Sequence, residues 1–234
     1  MEDHSHSHSH GHPQHLQGVA LPPKSGKTKS IVVLLHGVGA DGNDLLGLAP
    51  YWAPALPDTE FVSPHAPFPF DMAPSGRQWF SLQDRSPASV LAGVQTAAPI
   101  LDHFLDELLA ARGVDESHLA LVGFSQGTMM SLYTGLRRAK PLACIVGYSG
   151  ALAGAAVLAK EIRSRPPVLL VHGEDDPMVP FTALDVAVKA LTAAGVKVES
   201  LARPGLGHSI DEEGLKRGGE FLTKALSVSS GSAD

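Results

Sequence analysis

The sequence predicts one α/β domain with a mainly parallel central sheet and helices on both faces, and three observations predict it. Short apolar runs alternate with helical patterns from Ser30 to Leu226, the rhythm of strand-helix-strand units. The strand-like runs at 31–35, 119–122 and 168–171 are apolar throughout, as expected of strands buried on both faces. A Gly-x-Ser-x-Gly turn, Gly123 to Gly127, joins one such run to a helical pattern, the layout of a sharp strand-to-helix elbow.

The 234 residues suit one domain with a core that needs no staples. No internal repeat or second domain is visible. The formal charge of -6 and the pI near 6.0 provide no basic field for nucleic acid or an acidic lipid surface. Cys144 is the single cysteine, so an intramolecular disulfide is ruled out; within the apolar run 142–146 it reads as a buried thiol. No run approaches the roughly 18 apolar residues of a membrane helix, and the first residues lack the apolar core of a signal peptide. The expected protein is cytoplasmic, without stable membrane insertion.

Residues 1–29 are expected to be a His-rich, disordered tail and lead-in outside the domain. His4, His6, His8, His10, His12 and His15 could chelate a divalent metal, but after Met1 the first fifteen residues have no large apolar side chain with which to dock on a core. A purification tag and a native metal-scavenging tail both fit. The domain proper is placed at 30–226, with a flexible tail at 227–234.

Ser30–Leu35, SIVVLL, is the first core strand. It runs into His36-Gly37-Val38-Gly39, a turn able to aim the Val38 N–H into a cleft at the carboxyl ends of the strands. His36 reads as a brace for this turn. A helix capped by Asn43 is expected through Trp52, ended by Pro54 and Pro57, followed by a short strand at 59–63. Residues 64–87 are rich in Pro and aromatic residues and read as a long functional loop, too aromatic for disorder. Trp79 and Phe80 either line a substrate pocket there or pin the loop to the core. Residues 88–111 carry apolar side chains at helical spacing, closed by Arg112 and Gly113, with His103 as a packing or surface residue. Further strands are expected at 119–122, 141–149, 167–172 and 196–201. Helices are expected from the elbow to Arg138, and over 181–194 and 211–226.

At the elbow, Ser125 projects its hydroxyl from a tight turn, and the N–H of the next residue, Gln126, points toward an oxygen that becomes negative in acyl transfer. Gly123 and Gly127 flank it because side chains there would collide with the neighbouring strand or helix. A serine hydroxyl needs a base, and the base an orienting carboxylate. Both follow in the order Ser, acid, His, each just after a predicted strand. Glu174, Asp175 and Asp176 compete for the acid; Pro177 stiffens the chain behind Asp176 and favours it mildly. His208, in a flexible Pro-Gly-Leu-Gly-His-Ser loop, is the base; His172 at a strand end supports the loop that carries the acid. Ser149, in Gly-Tyr-Ser-Gly, lacks the elbow spacing.

LLHGVG at 34–39, SPHAP at 63–67, the Trp79-Phe80 pair, GFSQG at 123–127, HGEDDPMVP at 172–180 and GHS at 207–209 together resemble the carboxylesterase/phospholipase family that includes acyl-protein thioesterases. The resemblance runs from about Ser30 to Leu226. It implies an α/β-hydrolase fold with Ser125 as nucleophile, Asp176 as orienting acid and His208 as base, an oxyanion hole from the main-chain N–H groups of Val38 and Gln126, and no cofactor or metal. The sequence departs from the family pattern at Val38 and Ala40-Asp41, and in a longer, Pro/Phe-rich 66–78 segment. Both bear on substrate choice and make lipid-modified protein the less favoured substrate. The activity so implied is that of a serine carboxylesterase on small to medium acyl esters. The alternatives are a thioesterase or lysophospholipase acting on long acyl chains and, remotely, a metal-binding protein working through the His-rich tail. The implied partner is a small-molecule ester, with a homodimer left open.

Overall fold

The computed structural model describes residues 15–228. In chain order the strands are β1 (Gly18–Leu21), β2 (Ser30–Leu35), β3 (Thr59–Pro64), β4 (Phe68–Pro69), β5 (Arg77–Gln78), β6 (Leu119–Phe124), β7 (Cys144–Tyr148), β8 (Val168–Gly173) and β9 (Val198–Arg203). The helices are α1 (Gly42–Leu46), α2 (Ala49–Trp52), α3 (Pro87–Arg112), α4 (Gln126–Gly135), α5 (Leu158–Glu161), α6 (Thr182–Ala193) and α7 (Glu212–Val228). Seven strands form one sheet in the order β1-β3-β2-β6-β7-β8-β9. All its pairings are parallel except that of β1 with β3.

The alternation of side chains along these strands divides the core in two. Ile31, Val33, Leu35, Leu119, Leu121 and Ile145 face a cluster completed by α3, α4 and α6. Val32, Leu34, Ala120, Val122, Val146 and Tyr148 face the other, covered by α1, α2 and α7. With apolar groups required on both faces, β2, β6 and β8 read as unbroken apolar runs. The mainly parallel sheet covered on both faces is therefore as expected, and β6, which leads into Ser125, lies at its centre.

The long helix α3 is bounded as its sequence suggests. The Ser86 side chain accepts from the Ser89 N–H, Pro87 occupies the first turn, and Gly113 closes the helix in the left-handed region at φ 66. Two arginines fasten it. Arg112 grips the buried Glu60 of β3 through both carboxylate oxygens, at 2.6 and 2.9 Å. Arg138, just after α4, reaches back to Asp102 and Asp106 at 3.0 and 2.7 Å.

Several sequence expectations need correction. Residues 15–29 are not a lead-in outside the domain: β1 adds an antiparallel edge strand to β3, Leu16 is buried in the core, and the Gln17 carbonyl accepts from the His65 N–H at 2.7 Å. The helix expected over 43–52 is two short helices, and its cap is Asp41, whose carboxylate accepts from the Asn43 N–H at 2.9 Å. The loop at 64–87 contains the small β4–β5 hairpin. The helix after the elbow ends at Gly135, β9 starts at Val198, and α7 continues to Val228. Residues 1–14, with His4, His6, His8, His10 and His12, and residues 229–234 lie outside the described residues.

Candidate active site

Ser125 lies between β6 and α4 with φ 55 and ψ -113, a sparsely populated conformation that costs about 1–3 kcal/mol and persists only where the surroundings enforce it. Here they do. A side-chain carbon at Gly127 would overlap the Leu35 carbonyl oxygen of β2, and one at Gly123 would overlap the backbone of Gly127 and Thr128. The Ser125 N–H donates to the Tyr148 carbonyl at 2.9 Å, and its own carbonyl accepts from Thr128 and Met129 at 3.0 and 3.2 Å. The backbone around the hydroxyl is thus locked by close packing on one side and by hydrogen bonds on the other.

The turn after β2 stands directly beside it: a side-chain carbon at Gly37 would lie 3.5 Å from Ser125 Cβ. Among the described residues, no backbone hydrogen bond uses the N–H of Val38, and the N–H of Gln126, the first residue of α4, has no carbonyl one turn back within the helix. The Gln126 donor lies at the positive end of α4, where a developing negative charge is favoured, and the Val38 donor belongs to the turn beside it. His36, wholly buried, braces the turn as expected. Its Nδ1–H donates to the Gly37 carbonyl at 2.6 Å and its Nε2 accepts from the Ala66 N–H at 2.9 Å. Burial lowers the His36 pKa, keeping the ring neutral with one donor and one acceptor nitrogen, as these two bonds require.

The Gln126 side chain has a role that the sequence did not suggest. It is wholly buried, its Oε1 accepts from the Trp79 N–H at 2.8 Å, and its Nε2 donates to the Phe80 carbonyl at 2.7 Å. Trp79 Nε1 in turn donates to the His36 carbonyl at 3.1 Å. The elbow is therefore stitched to the end of the long loop by one amide, and the turn after β2 is tied to the same loop end by the Trp79 indole. Trp79 is 0% exposed and Phe80 5%, so both pack into the core, and both also border a hollow shared with Phe68, Ser89 and Thr96. A long amide between Ser125 and Gly127, at the start of a helix due to be buried, was the available sequence signal.

On the other side of the cleft, the turn after β8 carries three adjacent acids. Glu174 and Asp175 are exposed, while Asp176 is turned inward. Its Oδ1 accepts from the N–H groups of Met178 and Val179 at 2.8 and 2.9 Å, and its Oδ2 meets His208 Nδ1 at 2.8 Å. Burial raises the Asp176 pKa, but the His208 bond and the two N–H donors outweigh it and leave the carboxyl below the ordinary range. His172 stands behind this turn, 2.9 Å from the Val179 carbonyl. The His208 ring packs on Phe124, the residue before Ser125, with centroids 4.9 Å apart. The hydroxyl of Ser149, itself at φ 51, donates to the Ser209 carbonyl at 3.4 Å and ties the His208 loop to the end of β7. The structure brings His208 and Asp176 into contact and both to the elbow; among the described residues no hydrogen bond joins Ser125 Oγ to His208.

An imidazole whose Nδ1–H is held by an ionised carboxylate leaves Nε2 as a proton acceptor, and a hydroxyl beside unused N–H donors can form a bond to carbon whose oxyanion they would bind. Among the described residues the one His/Glu group spaced as metal ligands is His15, His103 and Glu107, of which only His15 had been considered as a metal ligand.

The profile of the phospholipase/carboxylesterase family matches residues 17–226. The chain is 30% identical to carboxylesterase SOBER1 of Arabidopsis thaliana, covering 86% of this chain and 93% of that one. It is 28% identical to acyl-protein thioesterase 1 of Gibberella zeae, over 87% of this chain and 94% of that one. Among solved structures, esterase PE8 is 43% identical with a TM-score of 0.88, covering 91% of this chain and all of that one. The fold is thus that of the α/β-hydrolases.

Proposed function

The chain belongs to the phospholipase/carboxylesterase family and is a carboxylic ester hydrolase; from that premise we propose that it is a serine carboxylesterase of small to medium acyl esters, working through Ser125, His208 and Asp176. The observation that carries the proposal is the 2.8 Å contact between His208 Nδ1 and the inward-facing Asp176, alongside a strained Ser125 at the mouth of α4.

In this mechanism His208 Nε2 takes the Ser125 proton as Oγ attacks the ester carbonyl carbon. The oxyanion is held by the N–H groups of Val38 and Gln126. Collapse of the tetrahedral species breaks the bond to the alkoxy oxygen, which leaves as alcohol with the proton from His208. Water, deprotonated by His208, then attacks the acyl-enzyme, and the acid departs as Ser125 recovers its proton. Asp176 stabilises the imidazolium in both steps. The reaction runs in the cytoplasm, in a monomer or a homodimer.

Ser125→Ala is expected to lower p-nitrophenyl butyrate hydrolysis by about 10⁴-fold or more. Residual activity near that of the unsubstituted enzyme would overturn the proposal. The preference for a plain ester is supported by esterase PE8, the more similar at 43% identity, whereas the proteins named as thioesterases are more distant. Those thioesterase names favour the second reading, cleavage of long acyl chains. A series of p-nitrophenyl esters from acetyl to palmitoyl, read as kcat/KM, separates the two by the position of the maximum.

A further inference from the structure

Outside the Ser125 cleft, two chain segments bring three ligand-type side chains together. His103 and Glu107 lie one turn apart on α3, hence on the same face. His15, just before β1, lies over them: its ring meets that of His103 edge-on, with centroids 5.3 Å apart. His15 Nδ1 is 3.3 Å from one Glu107 carboxylate oxygen and His103 Nε2 is 3.1 Å from the other. One ligand atom from each of the three lies within 4.8 Å of the other two.

We propose that His15, His103 and Glu107 form a divalent transition-metal site, of the kind zinc occupies, that fastens the N-terminal segment to α3. Ligands placed tetrahedrally at 2.0–2.1 Å from a zinc ion stand about 3.3 Å apart, close to the 3.3 and 3.1 Å at which the two imidazoles approach Glu107, one at each carboxylate oxygen. Two imidazoles and a carboxylate suit zinc, nickel or copper, whereas magnesium and calcium prefer all-oxygen sets. His103 Nε2 is closed off from solvent and makes no hydrogen bond, and its charged neighbour is the Glu107 carboxylate at 3.1 Å, so the two groups already face each other across the site. The ligands are also held in place. His103 and Glu107 ride on a helix, and His15 precedes the buried Leu16 and Gln17, whose carbonyl accepts from the His65 N–H. Half-exposed edges at His15 and Glu107 leave room for ion entry and for water in the remaining position. Because residues 15 and 103 are far apart in the chain, an ion bound there closes a long loop and stabilises the folded state over the unfolded one.

The histidines preceding the site chelate on their own account, so the test is made in the full-length chain carrying His4→Ala, His6→Ala, His8→Ala, His10→Ala and His12→Ala. Titration with zinc chloride in a calorimeter is expected to give one ion per chain, and a hundredfold excess over Kd to raise Tm by about 5 °C or more. His103→Ala and Glu107→Gln, each added to that background, are expected to weaken binding by about tenfold or more and to abolish most of the Tm rise. Unchanged p-nitrophenyl butyrate hydrolysis in both variants shows that the fold is intact. No zinc uptake by the tail-substituted chain, or uptake indifferent to both further substitutions, would overturn the proposal.

Discussion

The two sides of the cleft are held by different physics. On the Ser125 side, position is set by backbone contact: Gly127 against the Leu35 carbonyl, Gly123 against the first turn of α4, and a serine in a conformation that non-glycine residues rarely adopt. On the His208 side it is set by side-chain hydrogen bonds, running from the Met178 and Val179 N–H groups through Asp176 to the imidazole. Close packing has no slack and does not titrate. A hydrogen-bond relay tolerates small shifts, yet depends on protonation. The first side should therefore fail by unfolding and the second by losing activity in a folded protein.

The largest expected effect is on the packed side. Gly127→Ala forces a carbon into the Leu35 carbonyl and should cost more than about 4 kcal/mol, seen as loss of soluble protein or a large fall in Tm. A Tm close to that of the parent would show that the elbow is less constrained than its contacts indicate. Asp176→Asn should do the opposite. It keeps the side-chain shape and an acceptor oxygen for Met178 and Val179, so Tm should change little, while kcat falls by roughly 10³–10⁴-fold through loss of the charge and of the correct imidazole tautomer.

Gln126→Ala crosses the divide. It leaves the main-chain N–H in place but strips partners from the buried Trp79 N–H and Phe80 carbonyl, each worth about 1–3 kcal/mol when left unmade. Tm should drop by more than in Asp176→Asn and kcat by less. If the reverse is found, the amide serves the chemistry and not the loop.

The smallest effect is the dependence of stability on pH. Asp176 titrates below its ordinary value for the reasons given above, and the Arg112 hydrogen bonds hold Glu60 below its own. A carboxylate whose folded pKa is depressed contributes stability in full above its unfolded value and loses it as pH falls through the folded one. Tm should thus be flat from neutral to about pH 5 and decline below about pH 4. The decline should be shallower in Asp176→Asn, which has no charge to lose there; equal slopes would remove Asp176 from the set of groups responsible.

Legibility in the sequence followed burial. Strands β2, β6 and β8 are apolar on both faces, so their runs needed no partner to be recognised. Strand β1, four residues with an exposed alternate face, is held by backbone pairing to β3 and lies beside a polar, His-rich stretch; nothing local marks it. The order Ser, acid, His was visible because each residue follows a strand. The choice of Asp176 over Asp175 was not visible from spacing, since it turns on which carboxylate faces inward, and Pro177 supplied only a mild preference. The aromatic pair Trp79-Phe80 was visible as important, but its direction was set by Gln126, a contact across more than forty residues that no local pattern encodes. His15 and His103 lie still further apart, so their meeting on α3 is a property of the fold alone.

The lone cysteine has a practical consequence. Cys144 lies in β7 with no exposed surface, and burial raises its thiol pKa, so thiol reagents find neither access nor thiolate in the folded protein. Fluorophores and spin labels can therefore be attached at one chosen place without first removing a native site. Met72, in the segment between β4 and β5 and 62% exposed, is a natural position for an engineered thiol, where a maleimide probe would report on the hairpin that covers the turn containing Val38.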